Sequence, residues 1–215
     1  MRWPTICLFM FAACFPLHAA DVSTVDSVLI AWSQRADLKS FDAQVAIKQL
    51  GKDGRWESDD PTFGRFRYKS SPTEARFDTL GLNGTSYVLT ADGKLAEVNG
   101  GQLRGKTELP HNARLRTNLW LGELPAFLLV GIDPEKMRYQ FNIRAVPAAK
   151  SISVYLYPQL SADQKRFDRL EVEIAKETML PVQIHIVWKD GRHTFMAVTE
   201  PKTNVALEAD SFKTR

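Results

Sequence analysis

Val25, Val28, Leu29 and Trp32 fall at i, i+3, i+4 and i+7, and from Phe41 onward the apolar period drops to two. The first spacing predicts a helix with Ser23 as its cap, Asp26 at the third position of a capping box, and an end near Ala36. Phe41, Ala43, Val45 and Ile47 then alternate with Asp42, Gln44, Ala46 and Lys48, the pattern of a half-buried strand. Further strands are predicted over 62–69, 75–79, 86–90 and 94–98. The turns between them are Gly51-Lys52-Asp53-Gly54, Ser71-Pro72, Asn83-Gly84 and Asp92-Gly93.

Residues 99–117 are polar and poorly periodic. The rhythm breaks again at Leu119-Trp120-Leu121 and over 125–131, where Pro125 suits a first helical turn and Gly131 a helix end. Asp133 is placed to cap a second short helix. Together these predict a compact, mostly apolar helical insert. Strands resume over 139–146, 151–157, 167–175, 182–189 and 192–200, with Asp190-Gly191 as a two-residue hairpin signal. Residues 206–213 are a candidate closing strand. The order predicts one domain: a single antiparallel sheet, strongly curved or nearly closed, with helices placed on it.

A sheet with one wet face alternates cleanly, as Leu170, Val172 and Ile174 do against Arg169, Glu171 and Glu173. Other strands are apolar on both faces. Met196 and Val198 oppose Phe195 and Ala197, while Ile152, Val154 and Leu156 oppose Tyr155 and Tyr157. Ile184, Ile186 and Trp188 have Val187 behind them. Such strands need cover on both sides, and the first helix and the insert are available to give it. Two arrangements satisfy the pattern: helices that complete an ordinary core, or an apolar cavity between sheet and lid.

The first twenty residues read as an address. Arg2 supplies a positive start and Ile6–Phe15 an apolar run of about ten residues, too short for a membrane span of ~20. Leu17 and Ala19 suit a cut before Ala20, so residues 1–20 are expected to be a cleaved signal peptide. Lipidation at Cys14, in Phe11-Ala12-Ala13-Cys14, is the alternative route. Export removes Cys7 and Cys14, the two cysteines of the chain, leaving a domain over 21–215 without disulfide or thiolate chemistry. The 215 residues, 44% hydrophobic and 25% charged, are globular in composition, which excludes a disordered chain or a coiled-coil rod. A net charge of +3 gives no argument for nucleic acid.

Leu38-Lys39-Ser40-Phe41-Asp42-Ala43 resembles the first strand of the periplasmic LolA-type lipoprotein carriers and outer-membrane lipoprotein-sorting proteins. Gly64-Arg65-Phe66-Arg67-Tyr68-Lys69, followed by Pro72, is similar to their second strand. Leu124-Pro125-Ala126-Phe127-Leu128-Leu129 is similar to their lid. Tyr155-Leu156-Tyr157-Pro158, Phe167–Val172, Lys189-Asp190-Gly191-Arg192 and Asp210-Ser211-Phe212 resemble their later hairpin, turn and closing strand. The resemblance covers most of the chain as an ordered set of weak motifs. It implies a mainly β fold with α elements, an unclosed antiparallel β-barrel of about eleven strands under an α-helical lid. It further implies a periplasmic, monomeric carrier or binding protein for lipid acyl chains or lipoproteins, working with envelope transport or receptor proteins. The expected cavity or lid contacts are Trp120, Phe127, Leu128, Tyr155, Tyr157, Phe195 and Met196. Carriers place an Arg before the Pro that ends the second strand, where it ties the lid shut. Here that stretch is Ser70-Ser71-Pro72, so Lys69 or Arg67, with Arg65 on the same rim, is the expected latch.

The chain shows no phosphate loop, no His-Glu-x-x-His and no nucleophile elbow, so no catalytic residue, cofactor or metal is expected. His185 and His193 flank the Asp190-Gly191 turn and are expected to face each other at about 5 Å, without a third ligand. His111 is the remaining histidine of the domain. Arg76 joins Arg65 and Arg67 on neighbouring strands, and Arg104, Lys106, Arg114 and Arg116 cluster in the polar stretch. They read either as a basic rim for lipid headgroups or as solvated surface. Asn83-Gly84-Thr85 matches a glycosylation acceptor and reads better as a turn. The second functional expectation is an envelope interaction or sensor module on the same fold; its mark is a filled, dry interior. A third, an enzyme using the cavity, lacks any convergent acid, base or nucleophile set.

Overall fold

The computed structural model describes residues 22–34, 38–80, 84–100, 102–108, 119–208 and 210–213. The expected leader with Cys7 and Cys14, His111, Arg114, Arg116 and Asn83 of the turn motif lie outside the described residues.

Helix α1 (Val22–Ser33) opens the domain and buries Val28, Leu29 and Trp32, part of the stripe read from the sequence. Six strands follow: β1 (Ser40–Leu50), β2 (Thr62–Ser70), β3 (Thr73–Leu80), β4 (Thr85–Leu89), β5 (Lys94–Asn99) and β6 (Gln102–Glu108). The insert carries a short hairpin, β7 (Trp120–Leu121) and β8 (Leu124–Pro125), then a 3-10 turn over Ala126–Leu128. Helix α2 (Pro134–Gln140) leads into β9 (Phe141–Pro147) and β10 (Ser151–Pro158). After α3 (Ser161–Gln164), strands β11 (Phe167–Ala175), β12 (Leu180–Trp188) and β13 (His193–Thr203) complete the sheet.

The sheet is antiparallel and eleven-stranded, in the order β6-β5-β4-β3-β2-β1-β13-β12-β11-β10-β9. Its ends, β6 and β9, do not pair, so the barrel is open. Alternation assigns the faces. Phe41, Ala43 and Val45 of β1, Phe66 and Tyr68 of β2, and Ile184 and Ile186 of β12 are buried on the inner face. They meet α1, the insert and α2 there in one apolar core. Asp42, Arg65, Arg67, Glu171 and His185 stand on the outer face.

Three elements differ from the sequence reading. The polar run after Asn99 contains β6, which pairs with β5 across a bulge at Glu97/Val98. Residues 102–106 of this edge strand are exposed, so it carries no apolar alternation to betray it. The insert begins as a hairpin, and helical cover comes from α1, the 3-10 turn and α2. Gly122, at φ 63°, supplies the left-handed turn between β7 and β8. Among its described residues the segment 206–213 adds no strand; the Val205 carbonyl just before it accepts from Ser40 Oγ and the Lys213 carbonyl from Arg76 Nη1. The Asp133 cap is as expected, its carboxylate accepting from the Glu135 and Lys136 amides. No helix among the described residues is long and apolar enough to cross a membrane.

Candidate functional site: the lidded inner face

The insert lies on the inner face as an apolar plug. Leu119, Leu121, Leu124, Ala126, Phe127, Leu128, Leu129, Val130 and Ile132 are all buried. Their burial follows from a run with one charged residue, Glu123, between Leu119 and Ile132. The hairpin tip, Gly122-Glu123, reaches the sheet beside Tyr87. A Cβ placed on Gly122 would stand 2.6 Å from the Tyr87 ring, so only glycine fits this approach.

Among the described residues, the side-chain hydrogen bonds from the insert to the sheet all run through Glu123. Gln49 Nε2 of β1 donates to Glu123 Oε2 at 2.6 Å, and Thr194 Oγ1 of β13 donates to the same oxygen at 3.4 Å. Arg192 Nη1 donates to Glu123 Oε1 at 3.4 Å. Trp188 Nε1 donates to Thr194 Oγ1 at 2.8 Å, which orients that hydroxyl. Burial and the charges of Glu97 and Glu123 push the nearby Tyr87 phenol above its usual pKa. Beside this latch a recess of about 390 Å³ opens between Ile47, Phe77, Tyr87 and Leu124, with Glu57 and Asp60 at its rim.

The expected contacts separate onto two faces. Trp120, Phe127, Leu128 and Met196 are inside. Phe127 stacks with Phe141 at 6.4 Å and meets Trp120 edge-on at 6.2 Å. Trp120 also packs against Phe167 and Trp188, and the Arg166 guanidinium covers its ring at 4.0 Å. Burial lowers the Arg166 pKa. Met196 is buried between Ile47 and Ile184. Tyr155, Tyr157 and Phe195 are on the outer face, because each neighbours an inward residue on its strand. Tyr157 is 41% exposed. Apart from the recess beside Glu123, the interior under the insert is filled by Trp120, Phe127, Leu128 and Met196 with their buried neighbours.

Arg65, Arg67 and Lys69 also stand on the outer face. Arg65 makes a two-pronged pair with Asp42 at 2.9 and 2.7 Å and holds its carboxyl below the usual range. Arg67 pairs with Asp78, and Lys69 lies 4.0 Å from Glu74. None of the three reaches the insert in the described contacts. The latch made by Glu123, Gln49, Thr194 and Arg192 was missed from the sequence. The signal for it was there: Glu123 is a lone acid in an apolar run.

Phe195 belongs to an outer-face row in which Lys48, Phe195, His185, Glu171, Tyr155 and Arg144 stand side by side on successive strands. Phe195 stacks on His185 at 4.1 Å and packs against Trp56 at 5.5 Å. His185, opposite Phe195, and His193, opposite Val187, are diagonal neighbours on this face, with ring centroids 5.1 Å apart. No group of three or more metal-ligating side chains forms among the described residues.

No protein-family model matches the chain, and no curated protein matches it. Among solved structures it is similar to an uncharacterised conserved protein from Thermus thermophilus, with 12% identity and a TM-score of 0.55, covering 88% of this chain and 92% of that one. It is similar to MucB with 15% identity and a TM-score of 0.51, covering 89% of this chain and 62% of MucB, so it spans less than two-thirds of that protein. A LolA superfamily protein from Nitrosomonas europaea aligns over 88% of this chain and 97% of its own, with 10% identity and a TM-score of 0.43. The fold is an open, eleven-stranded antiparallel barrel with helical cover, the architecture expected from the sequence. At these identities the likeness is one of fold, and fold does not fix function.

Proposed function

We propose that this chain is an exported periplasmic protein that takes up a lipid acyl chain, free or on a lipoprotein, by displacing the Leu119–Ile132 insert from the inner face. The observation that carries this is the insert itself: an apolar plug, its apolar side chains almost all buried, tied to the sheet by the hydrogen bonds of one carboxylate. Lifting it exposes the inner-face floor around Ile47, Phe77 and Tyr87, with Met196 beside Ile47, which an acyl chain can cover in its place. Each buried CH₂ contributes about 0.8 kcal/mol, so a long chain supplies on the order of 10 kcal/mol toward replacing the insert contacts that are lost. Trp120, Phe127, Leu128 and Met196 are the proposed contacts.

Titration with a fluorescent fatty acid tests this. Saturable binding, competed by unlabelled fatty acid and weakened by a polar substitution at Met196, is expected. No binding, with no lipid retained by protein from its native envelope, would remove the carrier reading.

A second reading, a protein-interaction or sensor module, is favoured by the filled interior and the aromatic outer row. It predicts a protein partner bound without lipid and with the insert in place.

A further inference from the structure

The start of β13 faces two ways. Arg192 and Thr194 hold Glu123 of the insert, while His193 between them points to the outer face. There, Glu171 Oε2 lies 3.1 Å from His185 Nδ1, and His185 Nε2 lies 3.0 Å from His193 Nδ1. Burial acts to raise the Glu171 pKa, but hydrogen bonds from His185 and Arg169 hold the carboxyl below the usual carboxylate range. An ionised Glu171 requires the hydrogen of His185 on Nδ1, so the 3.0 Å gap to His193 holds one hydrogen, from either ring. If both rings are imidazolium, two N–H groups meet in that gap and the contact opens.

We propose that the His185–His193 pair is a proton-operated release for the insert, in which the second proton on the pair ejects His193 and draws Arg192 and Thr194 away from Glu123. This rests on the reading of the insert as a lid.

Burial, His185 and Arg169 lower the His193 pKa, and Glu171 opposes them. The groups facing the pair are Arg169 and Glu171 from β11, Lys48 from β1, Tyr155 from β10, and Arg192 with Asp190 at the turn. Lys52 approaches the same turn beside Gly191. Phe195 and Trp56 close the apolar side, so an ejected His193 moves outward.

The test is a pH titration of the whole protein by NMR, following the His185 and His193 ring signals and the backbone amides of Gly122, Glu123 and Leu124. Uptake of Nile red, which is uncharged across the range, is measured in parallel. The expected result is that the three lid amides shift with the His193 midpoint, below the ordinary histidine value. Nile red uptake at pH ~5 should be about fivefold faster than at pH ~7.5, the equivalent of one ordinary hydrogen bond, because the two contacts released are both long at 3.4 Å. In His193→Asn, which keeps a polar atom at the Nδ1 position and cannot titrate, the lid amides should stay still; His193→Gln serves if that variant does not fold. Lid amides that ignore the histidine titration, or that move equally in both proteins, overturn the proposal. Amides that follow the histidine while Nile red is never taken up support the release and count against the carrier reading. Uptake without any pH coupling does the reverse.

Discussion

Glu123 and Arg65 show how differently two carboxylate contacts act at the scale of one side chain. Asp42–Arg65 is a well-formed pair on the outer face, with the Arg65 side chain 53% exposed, and its loss touches no lid contact. Glu123 is also part-exposed, but it joins β1, β13 and the insert at one point. Glu123→Ala leaves Gln49 and Thr194 short of an acceptor and frees the hairpin tip. A local cost of about 1–2 kcal/mol is expected, with amide exchange over 119–132 faster by about tenfold while global stability changes less. Exchange in the insert that matches wild type would show that packing alone holds it. Asp42→Asn should leave exchange in the insert unchanged.

At the scale of elements, the β7–β8 hairpin sets how the plug enters the core. Its two-residue turn needs Gly122 at φ 63° and leaves no room for a Cβ beside Tyr87. Gly122→Ala should lower stability by more than about 1 kcal/mol, read from the urea midpoint, because backbone strain and the ring contact add. An unchanged midpoint would mean that Tyr87 yields freely. The elements legible in the sequence were those with one buried face, such as β1 and β11, and those with a chemical cap, such as α2 under Asp133. The hairpin was not legible. A run buried almost throughout, Leu119 to Ile132, has no periodicity to separate helix from turn. Strand β6 was hidden for the opposite reason, since little in it is drawn to a core. At the site, the inward contacts Phe127, Leu128 and Met196 were legible as apolar residues. Their separation from Phe195 and Tyr155 was not, because a strand apolar on both faces does not say which face is covered. The two-residue Asp190-Gly191 turn read from the sequence would have set His185 and His193 on opposite faces; the observed turn spans three residues, 189–191, with Val187 opposite His193, and this register brings the two rings together.

The whole molecule is an open barrel in which the shifted acid-range groups are mostly depressed, Asp163, raised by burial, being the exception. The Arg65 hydrogen bonds lower the Asp42 pKa, and burial chiefly lowers that of His193. In Glu171 burial pulls upward, and the donors His185 and Arg169 outweigh it. A group whose folded pKa is depressed contributes stability above its unfolded value and loses it as pH falls through the folded one. The His193 contribution is therefore complete above its ordinary value of 6.5, and that of Asp42 above 3.8. The urea midpoint should fall in two stages between about pH 7 and 3, and His193→Asn should abolish the first. A midpoint that rises on acidification would contradict the assignment. The proposed function puts an acyl chain on the inner face, under a displaced insert. Photocrosslinking with a diazirine fatty acid, read by peptide mass spectrometry, tests it most directly. Labels on Phe127, Leu128, Phe77 or Met196 are predicted; labels confined to the outer row of Phe195, Tyr155 and Tyr157, or none at all, would contradict it.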